Sequence, residues 1–351
     1  MSDRIYACHQ TKCQMHKRNF AFKKATRTDL EDYLEDDKWR DVFRFDEFKQ
    51  QIYRFQGTEQ RELRDLDFKE VGLAAEKDWG LMSTNSEISD AIMWHTDKYR
   101  YNSARDYFEY CFRSATKRMA WDTLHQYLGV EAEYLEYAKE VLRKWLLAAT
   151  LRVLHPGYKH DWALVLVGPQ GCGKSSLLRI LAGDDRFTDQ MPKDLSNKDA
   201  SQYLVGCLIV ELAEFQQRLG DQNAIKDFLS RQTDRYRRPY DKLVCSYPRT
   251  CVFGITTNDD EFLRDATGAR RFVTLPVKDI NLEWFRENVE ELWGYAYGVA
   301  KELDEGDLRD GKATRLNLTA QEIANDLASN AQETNLYLEK VREAVTQYDG
   351  S

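Results

Sequence analysis

The chain has 351 residues, 42% of them apolar and 31% charged, with 51 basic against 59 acidic side chains and a net charge of −8. That length suits two domains with a large buried core, and the charge excludes a surface uniformly adapted to nucleic acid. No apolar run reaches the ~18 residues of a membrane span, and the text after Met1-Ser2-Asp3-Arg4 lacks the apolar stretch of a secretory signal, so none is expected. The seven scattered cysteines argue for reduced thiols in a cytoplasm.

Residues 1–130 read as a mainly helical N-terminal domain, a collar or partner surface. Leu30–Phe48 and Tyr107–Leu128 space their apolar side chains at roughly helical intervals. Cys8, His9, Cys13 and His16 have the chemistry of zinc ligands, but no second pair at zinc spacing follows, and a disordered or simply reduced segment is the expectation. Residues 131–351 read as a second, α/β domain. Glu131–His155 holds no glycine or proline, and Tyr134, Ala138, Val141, Leu142, Trp145, Leu146 and Ala149 recur at three- and four-residue steps. That pattern predicts one long helix with a buried face, stopped by Pro156-Gly157. The period then changes. Ala163–Val167 is a continuous apolar run of the kind found in central parallel strands. Ser175–Leu181 reads as a helix closed by Gly183, Leu208-Ile209-Val210, Thr250–Thr257 and Arg271–Pro276 as further strands, and Leu282–Leu303 as a long amphipathic helix. Thr319–Ser329 and Glu333–Tyr348 read as closing C-terminal helices. Strands alternating with helices predict an α/β sheet.

Gly168-Pro169-Gln170-Gly171-Cys172-Gly173-Lys174-Ser175, with Ser176 next in the helix, has the G-x-x-x-x-G-K-[ST] spacing of a P-loop NTPase. Glycines let backbone N–H groups turn toward phosphate oxygens, and the following helix adds partial positive charge at its start. Lys174 places a charge on the β- and γ-phosphates of ATP, and the Ser175 hydroxyl is the expected Mg²⁺ ligand. Leu208–Glu214 is an apolar strand ending in carboxylates. Glu211 is expected on the Mg²⁺ side and Glu214 beside the attacking water, although the two roles are interchangeable at this level. Val252–Asn258 is a strand ending in an amide, and Asn258 would touch the γ-phosphate or the water. An ordinary strand-end cap is the plainer alternative. Arg270 and Arg271 offer a charge that an adjoining subunit could lend to the transition state, or else form surface ion pairs. Asp234–Lys242 packs Arg235, Arg237, Arg238 and Lys242 with Tyr236 and Tyr240 around Pro239. Cations neutralise phosphates and rings stack on unpaired bases, so this hairpin is the expected contact with single-stranded DNA. A charged turn, or arginines that bind nucleotide, would read the same way.

The combined motifs resemble the virulence-associated E family of phage and mobile-element replication proteins. The matching text is Trp145–Arg152, His155–Asp161, Gly168–Ser176, Val210–Phe215, Lys226–Ser230, Asp234–Tyr240, Pro248-Arg249, Thr256-Thr257-Asn258, Phe262–Asp265 and Thr267–Phe272, with Trp121-Asp122-Thr123 and Tyr127-Leu128-Gly129 as a lead-in. The resemblance covers roughly residues 105–350. It implies a superfamily 3 helicase-like AAA+ fold and an ATP-driven homo-oligomeric ring, expected to be a hexamer, moving on DNA in a bacterial host. Many relatives carry an N-terminal primase. Here Asp65-Leu66-Asp67 is the only, faint, paired-acid motif, so a separate primase or replication partner is in view. The competing expectation is an NTP-dependent prophage module that switches a host protein without unwinding DNA; stimulation of hydrolysis by single-stranded DNA separates the two.

Overall fold

In the computed structural model the described residues are 22–115, 119–192, 194–195, 198–212, 222–237, 243–258, 271–327 and 329. Contacts divide the chain into two units. One runs to Tyr101 without Phe48–Gln50, and the other takes Phe48–Gln50 and everything from Asn102 onward.

The first unit contains β1 (Lys23–Lys24), α1 (Arg27–Leu34), β2 (Phe43–Asp46), β3 (Gln51–Gln56), β4 (Glu59–Glu62), α2 (Asp65–Trp79), β5 (Leu81–Met82), α3 (Asn85–Thr96) and β6 (Arg100–Tyr101). Four strands form a sheet in the order β4-β3-β2-β6, and β1 pairs with β5. Helices still hold more residues than strands in this unit, but the expectation of a mainly helical domain does not foresee the sheet. The helical spacing from Leu30 ends with α1, and Phe43-Arg44-Phe45-Asp46 then alternates apolar and polar side chains, the period of a strand. Thr26 and Thr84 open α1 and α3 as capping boxes with Asp29 and Glu87. Leu30, Tyr33, Leu34, Phe43, Val71, Ile88 and Ile92 share the core between helices and sheet. In the paired-acid motif, Asp67 is buried and accepts from Arg54 at 2.6 Å, Arg61 at 2.5 Å and the Arg64 backbone N–H at 2.8 Å. Asp65 is exposed. Residues two apart on a helix point away from each other, so these acids do not share a metal.

The second unit contains α4 (Ser103–Ser114), α5 (Met119–Thr123), α6 (Leu135–Leu154), β7 (Ala163–Val167), α7 (Lys174–Ala182), β8 (Phe187–Thr188), β9 (Ile209–Leu212), α8 (Gln222–Ser230), β10 (Thr233–Tyr236), β11 (Cys245–Pro248), β12 (Val252–Thr257), β13 (Phe272–Pro276), α9 (Leu282–Glu302) and α10 (Glu305–Leu308). A helix over 318–327 follows, and the segment Glu333–Tyr348 lies outside the described residues. Five parallel strands run β13-β7-β12-β9-β8. Helix α6 lies on this sheet, where Trp145 donates to the Phe253 carbonyl at 3.1 Å and Tyr137 to the Thr274 carbonyl at 2.6 Å.

The division falls at Tyr101/Asn102, not near 130. The reason is packing. Ala104, Phe108 and Cys111 of α4 share one buried cluster with Trp293 of α9. Gly294 allows the crossing, since a Cβ there would sit 2.5 Å from the Cys111 carbonyl oxygen. The expected helix Tyr107–Leu128 is broken into α4, α5 and a 3-10 turn over Leu124–Tyr127.

Candidate active site

Strand β7 ends in the glycine-rich loop, and hydrogen bonds fix its departure. Gly168 N–H donates to the Thr257 carbonyl at 3.3 Å, and Val277 N–H to the Val167 carbonyl at 2.7 Å. Position 168 admits only glycine, because a Cβ would lie 2.0 Å from the Val277 oxygen. Gly173, at φ 97°, turns the chain into α7. No side chain caps that helix, so its first-turn N–H groups remain available to an anion. Pro169, Gln170, Gly171, Ser175 and Ser176 are exposed, and Cys172 is half-buried.

Lys174 is only 7% exposed despite its charge. Its ammonium donates to the carbonyls of Gly168 and Pro169, each at 2.7 Å, and to Asn258 Oδ1 at 3.0 Å, with Cys172 Sγ at 3.7 Å. Ser175, one residue on, donates to Glu211 Oε1 at 2.7 Å. Thr256 Oγ1 donates to the same oxygen at 2.5 Å. Glu211 itself is 1% exposed. Register explains the meeting. Glu211 of β9 stands opposite Gly254 of β12, and Thr256 lies on the same strand face two residues further on. The structure thus gathers Lys174, Ser175, Glu211 and Asn258 where β7, β9 and β12 end. It adds Thr256, which sequence reasoning passed over. Its sequence signal is a hydroxyl two places before Asn258, on the strand next to the acid.

The donor set fits a hard cation bound partly by phosphate. Ser175 Oγ and Glu211 Oε1 are adjacent oxygens, and Mg²⁺ is usually held by one or two protein oxygens plus substrate oxygens and water. Among the described residues no cluster of three or more His, Cys, Asp or Glu could hold a metal by itself. Cys8, His9, Cys13 and His16 lie outside the described residues.

Glu214 and Arg270 also lie outside the described residues. Arg271 precedes β13 at the opposite end of the sheet from the loop, since Phe272 pairs with Ala163 and Pro276 with Val167. At about 3.3 Å per residue it is roughly 20 Å from Gly168 along the strand direction. The basic segment begins as an antiparallel pair of β10 and β11. Arg235 and Arg237 are exposed, while Arg238, Tyr240 and Lys242 fall outside the described residues. Tyr236 does not offer a free stacking face. It is 5% exposed, and its ring lies 4.5 Å from that of Tyr247. Asp234 also points inward, accepting from Arg249 Nε at 2.6 Å and Nη2 at 3.0 Å and from Ser201 Oγ at 3.0 Å.

No curated protein matches the chain. Among solved structures, the apo structure of the NrS-1 C terminal region (305-718) superposes with a TM-score of 0.51 at 14% identity, over 84% of this chain and 71% of that one. Two A-form structures of the same region give 0.48 over 81% and 0.49 over 82% of this chain, each covering 71% of the other at 14% identity. At such identity the likeness concerns the fold alone: a mixed α/β architecture with a parallel sheet. Among the described residues no helix is long and apolar enough to cross a membrane. The family model of the virulence-associated protein E-like domain matches residues 109–333, well over half of the sequence, and the chain belongs to that family.

Proposed function

We propose that the chain is a Mg²⁺-dependent ATPase with a P-loop core of the superfamily 3 helicase-like AAA+ type, working as a homo-oligomeric ring on single-stranded DNA during replication of a phage, prophage or genomic island in a bacterial cytoplasm. One observation carries this: Lys174, Ser175, Glu211 and Asn258 converge at the ends of three neighbouring parallel strands. Open parallel sheets bind ligands at such ends. Lys174 would exchange backbone carbonyl dipoles for the charged oxygens of the γ-phosphate. Ser175 and Glu211 would hold Mg²⁺, which when bound supplies neutralisation of charge shared by the β- and γ-phosphates. Asn258 orients the γ-phosphate or the water. Glu214 accepts the proton as the water oxygen bonds to the γ-phosphorus and the bond to the ADP oxygen breaks.

The distance of Arg271 from its own loop supports action on a neighbour, because an arginine side chain does not span roughly 20 Å. Arg270 shares that expectation. Exposed Arg235 and Arg237 support a DNA contact on the β10–β11 hairpin, together with Arg238 and Lys242.

An ATPase assay with and without single-stranded DNA tests the proposal, with mass measured on the same sample by light scattering. A ring mass and stimulation by DNA are expected. Hydrolysis by a monomer indifferent to DNA would remove the ring and the DNA from the account. Mixing Arg271→Ala with Lys174→Ala subunits should restore part of the activity that each lacks, if one subunit supplies the loop and the next the arginine.

A further inference from the structure

The hairpin of β10 and β11 carries more than cations. Its strands pair antiparallel, with Arg235 opposite Ser246 and Tyr236 opposite Cys245. Side chains alternate between the two faces of such a pair. Asp234 and Tyr236 are at most 5% exposed and take the inner face, whereas Arg235, Arg237 and Ser246 are exposed on the outer one. One step beyond the Tyr236–Cys245 pair, Val244 comes opposite Arg237 on that outer face, and Leu243 is its neighbour in the chain. Val244 is 59% exposed and Leu243 73%, so two large aliphatic side chains stand in the open beside two arginines.

The exposed surface of these strands has one sign of charge. Over residues 233–237 and 243–248 the sole carboxylate is that of Asp234, which is held inside by Arg249 and Ser201. The ion pairs of Asp234 go to Arg249 and Arg231, leaving Arg235 and Arg237 without one among the described residues. Cations and aliphatic groups on one face suit a ligand that joins an anion to a flat apolar surface. A nucleotide of a single strand is such a unit, with its phosphate and its base both accessible. In a duplex the base faces are stacked inside and only the phosphates remain for this surface.

On the basis of the DNA contact proposed above, we infer that Leu243 and Val244 pack against the unpaired bases of single-stranded DNA while Arg235 and Arg237 hold its phosphates. The hairpin thereby prefers single over double strands, which charge alone does not achieve. Aliphatic side chains make no hydrogen bonds to base edges, so the contact is indifferent to sequence. The apolar pair takes the place of Tyr236, whose ring is buried against Tyr247.

Fluorescence anisotropy of the full chain tests this with two labelled oligomers of equal length, oligo-dT and the same backbone with abasic sites in place of the bases. A non-hydrolysable ATP analogue is present throughout. The parent should bind oligo-dT about fivefold or more tightly than the abasic strand, the scale of a small apolar contact. The double variant Leu243→Ser, Val244→Ser should lose that difference by weakening for oligo-dT only. Its salt slope should stay parental, because no phosphate contact is removed. Arg235→Ala with Arg237→Ala should instead lower the slope by about 1.4 on both strands, at about 0.7 per contact. Leu243→Met with Val244→Ile, which keeps the apolar surface, should bind as the parent does. All four positions are exposed, so each variant should keep the parent's unfolding transition, checked on the same samples. A parent that binds both strands equally would overturn the inference, as would a serine variant that weakens for both strands or for neither; the phosphate contact of the proposed function would stand in each case. A serine variant whose oligomer mass falls would overturn it too, because the apolar pair would then meet a neighbouring subunit. A parent that binds neither strand would remove the DNA contact itself and the inference with it.

Discussion

Replacing Arg249 by methionine is expected to destabilise the second unit by about 3–5 kcal/mol, the usual cost of stranding one half of a buried ion pair. The Arg249 and Asp234 side chains are 1% and 4% exposed and meet through two hydrogen bonds of 2.6 and 3.0 Å. Arg249 also donates to the Phe228 carbonyl and lies 4.5 Å over the Phe228 ring. Methionine retains the apolar stem but leaves the Asp234 carboxylate with Ser201 at 3.0 Å and Arg231 at 3.9 Å. For a unit of this size the loss corresponds to a Tm lower by about 6–20 °C. Thermal melting followed by circular dichroism measures it. Combining Arg249→Met with Asp234→Leu should cost less than the sum of the single losses, since apolar groups then replace the whole pair. A loss below about 1 kcal/mol, or strictly additive losses, would refute this account of how the hairpin is fastened at its root.

Three further outcomes follow from the geometry. Burial raises the Asp67 carboxyl, but bonds from Arg61, Arg54 and the Arg64 backbone outweigh it and hold the group below the usual carboxylate range. A depressed folded value gives stability that is present above the unfolded value and is lost as pH falls through the folded one. Urea unfolding of the first unit should therefore weaken below about pH 4, and Asp67→Asn should flatten that acid limb. Thr256→Val should slow turnover about ten- to a hundredfold by freeing the Glu211 carboxylate. It should also raise the Mg²⁺ concentration needed for half-activity, with Thr256→Ser restoring both; unchanged Mg²⁺ dependence counts against a positioning role. Replacing Arg237, Arg238 and Lys242 together by alanine should lower the salt slope of single-stranded DNA binding by about two, at about 0.7 per phosphate contact. Basal hydrolysis should survive, and its collapse without DNA would move these arginines to the nucleotide.

Much of the second unit is legible in its sequence because the signals are local. Ala163–Val167 is a strand because five successive apolar residues are buried on both faces. Leu135–Leu154 and Leu282–Glu302 are helices because long stretches keep one apolar period. The first unit is harder to read. Its strands span two to six residues and carry many charges, so alternation is brief and a neighbouring helix sets the apparent period. The division between units was also hidden. The buried face of α4 looks like that of any amphipathic helix, and only packing on α9 assigns it. At the site, the loop and the acid announce themselves by spacing, whereas Thr256 meets Glu211 through cross-strand register. Tyr236 misled for a related reason. A ring among arginines suggests stacking on bases, but strand alternation turns Asp234 and Tyr236 inward and leaves Arg235 and Arg237 outside.

Phosphate release from ATP by the parent chain and by Lys174→Ala, with and without Mg²⁺, tests the central claim most directly. The parent should hydrolyse ATP only with Mg²⁺. The variant should lose activity by at least about a hundredfold, because the cation opposite the γ-phosphate is gone. Its far-ultraviolet spectrum and melting cooperativity should stay those of the parent. A folded Lys174→Ala chain that turns over ATP at a near-parental rate would contradict the account.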